Sequence, residues 1–262
     1  MRALHTASTG MMAQELNVQV ISNNIANMRT TGYKRQRAEF QDMLYEHVRR
    51  VGTQTSAQGN VLPAGVELGS GVKTVGTPRI MSQGTLLPTQ KDMDVAVRGE
   101  GFFRVLLPDG RTAYTRDGSF ELDSQGRIVT AQGYVVQPGI SIPNNATGLT
   151  INSQGQVSVN QPGQTAPTLV GQFDLAIFIN RAGLQGAGDN LFLETPASGT
   201  PQTGQPGTDA YGTLQQGNLE QANVEAVNEI TDLIAAQRAY EMNAKVITAA
   251  DQMLSSTSQM MR

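Results

Sequence analysis

A chain of 262 residues with a net charge of −3 is long enough for one large or two modest domains, and carries no basic excess that would draw it to nucleic acid. It has no cysteine, which excludes disulfides, thiolate metal sites and cysteine nucleophiles, and no apolar run long enough to span a membrane. Its 28 glycines and 5% aromatic content predict many turns around a light core.

The first 28 residues carry Leu4, Ala7, Met11, Gln14, Val18, Ile21, Ile25 and Met28 at alternating steps of three and four. A mean step of 3.5 predicts a helix with a coiled-coil seam. Asn23, Asn24 and Asn27 suit a fraying end, and Gly32 is placed to supply a left-handed stop. Met1 to Glu15 lacks an apolar signal-peptide core, so a cleaved secretory signal is not expected. Phe40, Leu44, Val48 and Val51 then fall at helical spacing and predict a helix within residues 34–51. Gly52 to Ser70 reads as an exposed loop or hairpin, with Val61-Leu62 and Val66 to Leu68 as short strands.

From Val72 to Gln137 short apolar alternations are punctuated by Pro108-Asp109-Gly110, Arg116-Asp117-Gly118, Asp123-Ser124-Gln125-Gly126 and Gln132-Gly133, which predicts an antiparallel meander. Further strands are predicted at 149–151, 156–159 and 169–179. Residues 183–217 read as a surface loop with one strand at Leu191 to Glu194. The last segment carries Ala226, Ile230, Leu233, Gln237, Tyr240, Ala244, Ile247, Asp251 and Leu254 on a second seam, with Asn223 as its expected N-cap. The fold class is α+β.

No catalytic constellation emerges. His5 and His47 lie in separate segments and read as solvent or interface residues. Asp92 and Asp94 are two apart before a strand and read as turn carboxylates rather than a glycosidase pair. The glycines at 69 and 71 and at 99 and 101 complete no nucleotide-binding pattern. The Asp123 to Gly126 turn lacks the other ligands of a calcium loop. Lys34, Arg35, Arg37, Arg49 and Arg50 are interleaved with Glu39, Asp42 and Glu46, which reads as a solvated or ion-paired face. No cofactor or metal is expected, and no enzyme.

Each terminal helix carries a second stripe: Met12, Leu16 and Val20 on the first, and Val224, Val227, Ile234, Met242, Val246, Met253 and Met260 on the second. A single pair of helices buries one stripe from each and leaves the others wet. Burial of those side chains in neighbouring copies is worth ~1.5–3 kcal/mol each before other costs. The pattern therefore favours multi-chain assembly over a private hairpin, a closed coiled-coil adaptor being the other assembly it allows.

Ser22-Asn23-Asn24-Ile25-Ala26-Asn27 with Thr30-Thr31-Gly32-Tyr33-Lys34 resembles the N-terminal signature of the bacterial flagellar rod and hook proteins. Gly99-Glu100-Gly101-Phe102-Phe103 and Tyr114 to Phe120 resemble the family's middle, and Gly217-Asn218-Leu219-Glu220, Asn223-Val224 and Gln237 to Asn243 its C-terminal part. Ala222 stands where the family usually has Ser. Length and the stretch from Arg37 to Val72 look like the distal-rod branch, with a proximal rod subunit the nearest alternative.

The resemblance implies an inner core domain built from residues 1–33 and 218–262, an extended or hairpin-like linker at 34–71, and an outward-facing β domain at 72–217. It implies a homo-oligomeric helical polymer, a hollow tube that carries torque to the hook and conducts exported subunits across the periplasm. The implied partners are proximal rod proteins, hook protein, peptidoglycan-layer and outer-membrane ring proteins, and the flagellar type III export apparatus. The expected assembly contacts are Leu4, Met11, Val18, Ile21, Asn23, Asn24, Ile25, Asn27, Gly32 and Tyr33 from the first signature. From the second they are Asn223, Val224, Ile230, Leu233, Gln237, Tyr240, Asn243, Ile247 and Leu254. Ile21, Ile25, Ile230, Leu233 and Ile247 are expected to be buried largely between chains, with the polar faces lining the channel.

Overall fold

The computed structural model describes residues 2–52, 64–164, 166–208 and 210–260. The chain divides into two compact units, one formed by residues 1–25, 36–78 and 226–262, the other by residues 26–35 and 79–225. Helices sit at both ends and antiparallel strands between them, so the class is α+β.

In the first unit, helix α1 spans Arg2–Ala26 and helix α2 spans Ala226–Met260. They run antiparallel: Asn24 donates to Glu229 across 3.1 Å, and Gly10 lies against Asn243. The stripe predicted on α1 is buried or half-buried from Leu4 to Ile25, and the one predicted on α2 is covered in part. On α2 the buried positions are Glu229, Ala236 and Ala250, with Asn243 half-buried between them at the same seven-residue interval. Of the predicted α2 stripe, Ala226, Leu233, Ala244 and Ile247 are half-buried, while Ile230, Gln237, Tyr240, Asp251 and Leu254 are exposed. On α1 the buried set is Ala7, Ala13, Val20, Ile21 and Asn24. Small residues let the two backbones approach: a Cβ added at Gly10 would come within 3.0 Å of the Asn243 amide. Several bulky α2 side chains, Ile234, Met242, Val246 and Met253 among them, are left exposed.

The expectation of a helix in residues 34–51 is corrected. Glu39–Asp42 pairs antiparallel with Val72–Gly76, and Tyr45–Arg49 pairs with Val66–Gly69, two stages of one hairpin. A four-residue spacing makes a helix only where a core covers that face, and Leu44, Val48 and Val51 are all exposed. With nothing to cover it, the segment takes its hydrogen bonds from a strand about 25 residues away, which its β-branched and aromatic residues accept readily. Thr9 Oγ1 of α1 accepts from the Val72 amide, and Arg2 pairs with Glu46. The proposed strand at Val61-Leu62 lies outside the described residues.

The second unit holds the β core. Phe102–Leu106 pairs with Thr112–Thr115 and with Val135–Val136; Ile128–Thr130 pairs with Phe120–Leu122 and Val135–Val136. These belong to a nine-stranded antiparallel sheet among the described residues. Adjacent side chains on a strand point to opposite faces. Phe103 and Leu175 therefore enter one core with Val95, Phe120, Ile128 and Val157, while Phe102 and Ala176 enter a second with Tyr114, Phe178 and Phe192. At Phe102 and Phe103 both faces of the sheet are buried. Residues 183–217 are not a plain loop: Gln185–Gly188, Gln202–Gly204 and Thr213–Gln216 are also strands, and Asn218–Glu220, expected to belong to the C-terminal helix segment, is a strand as well. Their Gly, Thr and Gln content hid them, because their stability comes from pairing with Leu191–Leu193, Leu175–Ile177, Val95–Arg98 and Leu86–Pro88.

The turn carboxylates act locally. Asp123 accepts from the Gln125 and Arg127 amides and pairs with the Arg127 side chain, closing its own turn. The Arg127 amide bond holds the Asp123 carboxyl below its ordinary value, and the Arg111 amide does the same for Asp109.

Candidate functional site

The features that could carry chemistry are dispersed. His5 is exposed on α1, and His47 lies 3.1 Å from Glu67 across the outer hairpin. Asp94 is buried and accepts from Thr89 Oγ1 at 2.7 Å, while Asp92 is exposed. No group of three or more His, Cys, Asp or Glu among the described residues could hold a metal ion. No described helix is long and apolar enough to cross a membrane.

The polar chemistry concentrates at one buried node in the β unit. Glu220, in strand Asn218–Glu220, accepts from Lys34 Nζ at 2.6 Å and from the Gly84 amide at 2.9 Å on the same oxygen. Its other oxygen faces Arg116 Nη1 at 3.4 Å. The three side chains are 1%, 0% and 3% exposed for Lys34, Glu220 and Arg116. Lys34 also donates to Ser82 O, and Arg116 to Val97 O and Gly99 O. The guanidinium lies over the Phe102 ring at 5.3 Å. Burial pulls both the Lys34 and the Arg116 pKa down, and the carboxylate they share, Glu220, pulls back.

The node holds the segment leaving α1 against the segment entering α2. Gly32 N donates to Glu220 O at 2.8 Å. Arg35 N donates to Asn223 Oδ1, and Asn223 Nδ2 donates to Ile80 O at 2.7 Å. Gly32 has φ +69°, and a Cβ there would sit 2.8 Å from the Arg116 carbonyl carbon and the Asp117 amide. Only a glycine lets these strands of chain approach so closely. Asn223 is not the helix cap predicted for it: α2 begins at Ala226, and the Asn223 amide is spent on residues 35, 80 and 82. Asn24 does not fray; it is buried, exchanges bonds with the Gln36 backbone and reaches Glu229.

The remaining expected contact residues fall into two groups. Leu4, Met11, Val18, Ile25, Asn27, Tyr33, Val224, Leu233, Asn243 and Ile247 are half-buried, and Ile21 and Gly32 are buried. Asn23, Ile230, Gln237, Tyr240 and Leu254 are exposed. Val18, Gln237 and Tyr240 line one groove together with Glu15, Gln19 and Glu241. Ile234, Met242, Val246 and Met253 add to the exposed apolar surface of α2.

Sequence reasoning passed over the node. Lys34 sits in a basic run and looked solvated, Arg116 sits in a turn, and Glu220 ends a short polar strand. The available signal was that all three fall inside the separate motif stretches.

Comparison with known proteins follows the same three stretches. Residues 4–34 match the model of the flagella basal body rod protein family, residues 96–159 that of the flagellar hook protein FlgE/F/G D1 domain, and residues 215–260 that of the flagellar basal body rod FlgEFG protein C-terminal region. The chain is 56% identical to the flagellar basal-body rod protein FlgG of Caulobacter vibrioides over 260 residues, 99% of each chain. This chain belongs to the flagellar basal-body rod protein family. It is a structural subunit of the flagellar basal body and not an enzyme. The FlgG protein of Bacillus subtilis is 37% identical over 97% of each chain. The flagellar hook protein FlgE of Helicobacter pylori is 42% identical over 139 residues, 52% of this chain but 19% of that protein. In this rod-family chain Lys34, Arg116 and Glu220 each come from a different matched segment.

Proposed function

We propose that this chain is a subunit of the distal rod, polymerising through its terminal helices into a rigid hollow tube. The observation that carries the reading is the exposure of large apolar side chains on helices whose mutual seam is already filled. Ile230, Ile234, Tyr240, Val246, Met253 and Leu254 are exposed on α2, while its buried residues are Glu229, Ala236 and Ala250. Burying such side chains in neighbouring copies contributes ~1.5–3 kcal/mol each, before ordering costs. Coiled-coil contacts between α helices of adjacent copies form the inner wall, made of residues 1–33 and 218–262. Residues 34–71 link it to the outward β domain at 72–217.

In this reading the tube crosses the periplasm, passes motor torque to the hook and conducts exported subunits. Its subunits are exported by the flagellar type III apparatus. Proximal rod proteins, hook protein and the peptidoglycan-layer and outer-membrane rings are its neighbours. Electron microscopy of the polymerised chain tests this. A straight hollow tube supports it; a curved, supercoiling tube indicates a hook-like subunit, and a small closed oligomer indicates a coiled-coil adaptor.

A further inference from the structure

A pocket of about 190 Å³ in the β unit lies where residues 27–34 pass the hairpin of Gln185–Gly188 and Leu191–Leu193. Its lining includes Tyr33, Arg79, Gly186, Asp189, Asn190 and Phe192. Arg79 lies over the Phe192 ring, its guanidinium carbon 5.6 Å from the centroid. The guanidinium also rests on Gly186, where a Cβ would collide with it. Asn190 fixes the rim by donating to Thr31 O at 3.0 Å.

Arg79 is thus positioned by packing from two sides, yet no carboxylate or carbonyl among the described residues accepts from it. The neighbouring Lys34 is spent on Glu220. Burial pulls the Arg79 pKa down, and only the Tyr33 phenol opposes that pull. Arg79 offers a half-buried, positioned fork of N–H donors, and a bidentate carboxylate is the group that matches it best.

We propose that this pocket receives a carboxylate side chain from a second copy of the chain, an inference that rests on the polymer reading above. Charge favours that occupant. The chain has 22 acidic against 19 basic residues, and two of the cations, Lys34 and Arg116, are buried on Glu220. Surface carboxylates are therefore in excess. Asp189 on the same rim disfavours a dianionic phosphate more than a single carboxylate.

The test compares wild type, Arg79→Ala and Arg79→Lys as full chains. Polymerisation is followed by sedimentation at low and high salt, with thermal melting of the unpolymerised protein as the folding control. Arg79→Ala should raise the critical concentration roughly tenfold or more and flatten its salt dependence, with little change in melting. Arg79→Lys, a point charge without the fork, should recover part of the loss. Polymerisation of Arg79→Ala at the wild-type concentration and salt dependence overturns the proposal. So does binding of inorganic phosphate to wild type but not to Arg79→Ala with assembly unchanged, which would make the pocket a small-anion site. A wild-type chain that forms no polymer counts instead against the rod reading.

Discussion

Replacing Glu220 by Ala should be among the most damaging single changes available to this chain. The carboxylate accepts from Lys34, from the Gly84 amide and from Arg116, at 2.6, 2.9 and 3.4 Å. Its removal leaves two cations buried without a counter-ion and one amide without an acceptor. Breaking a buried pair from one side costs about 3–5 kcal/mol, a large part of the ~5–15 kcal/mol that holds a domain folded. Glu220→Gln keeps the shape and one good acceptor and should cost less. The combination Lys34→Met with Glu220→Gln removes one surplus charge along with the carboxylate. It should be less damaging than the sum of the single changes, with a coupling of roughly 1–3 kcal/mol. Urea denaturation followed by circular dichroism measures each term, and hydrogen exchange at residues 26–35 and 217–225 shows where the loss falls. Protection should drop there first, because those segments meet at the node. A loss under about 1 kcal/mol for Glu220→Ala, or additive Lys34 and Glu220 effects, would refute the reasoning. The pH dependence has a defined sign. Burial lowers the Lys34 pKa, so the unfolded chain holds the proton longer, and the Lys34 contribution to stability rises between its lowered pKa and the ordinary 10.5. Lys34→Met should abolish that rise.

Three further outcomes are expected. Ile234→Asp and Val246→Asp, both on the exposed face of α2, should block polymerisation while shifting the monomer by no more than about 0.5 kcal/mol; unaltered polymers in electron micrographs would count against the helices as the contact surface. Gly32→Ala places a Cβ 2.8 Å from the Arg116 and Asp117 backbone at φ +69° and should cost more than the ~1–2 kcal/mol of a left-handed alanine alone, read from the urea midpoint. On acidification, the stability contributed by Asp109 and Asp123 is present above their ordinary pKa of 3.8 and is lost as pH falls through their lower folded values. Asp109→Asn with Asp123→Asn should remove that increment from midpoints measured between neutral pH and about pH 2.

The helices and the meander were legible because their signals are local. A 3.5-residue period over Leu4 to Met28 and over Ala226 to Leu254 has no strand reading, and alternating apolar pairs between Asp-Gly turns have no helical one. The family was legible from the motif stretches. Three things needed tertiary structure. The strand pairing of residues 39–49 depends on partners at 66–76, and its local spacing imitates a helix. The burial of Glu229, Ala236 and Ala250 beside the predicted α2 stripe depends on how closely two backbones approach at Gly10, a property of the pair and not of either stripe. The node depends on Lys34, Arg116 and Glu220 meeting across 186 residues of chain. A lysine between Tyr33 and Arg35 reads as solvated in one dimension; it becomes a buried anchor only when a strand from the far end brings the carboxylate that neutralises it.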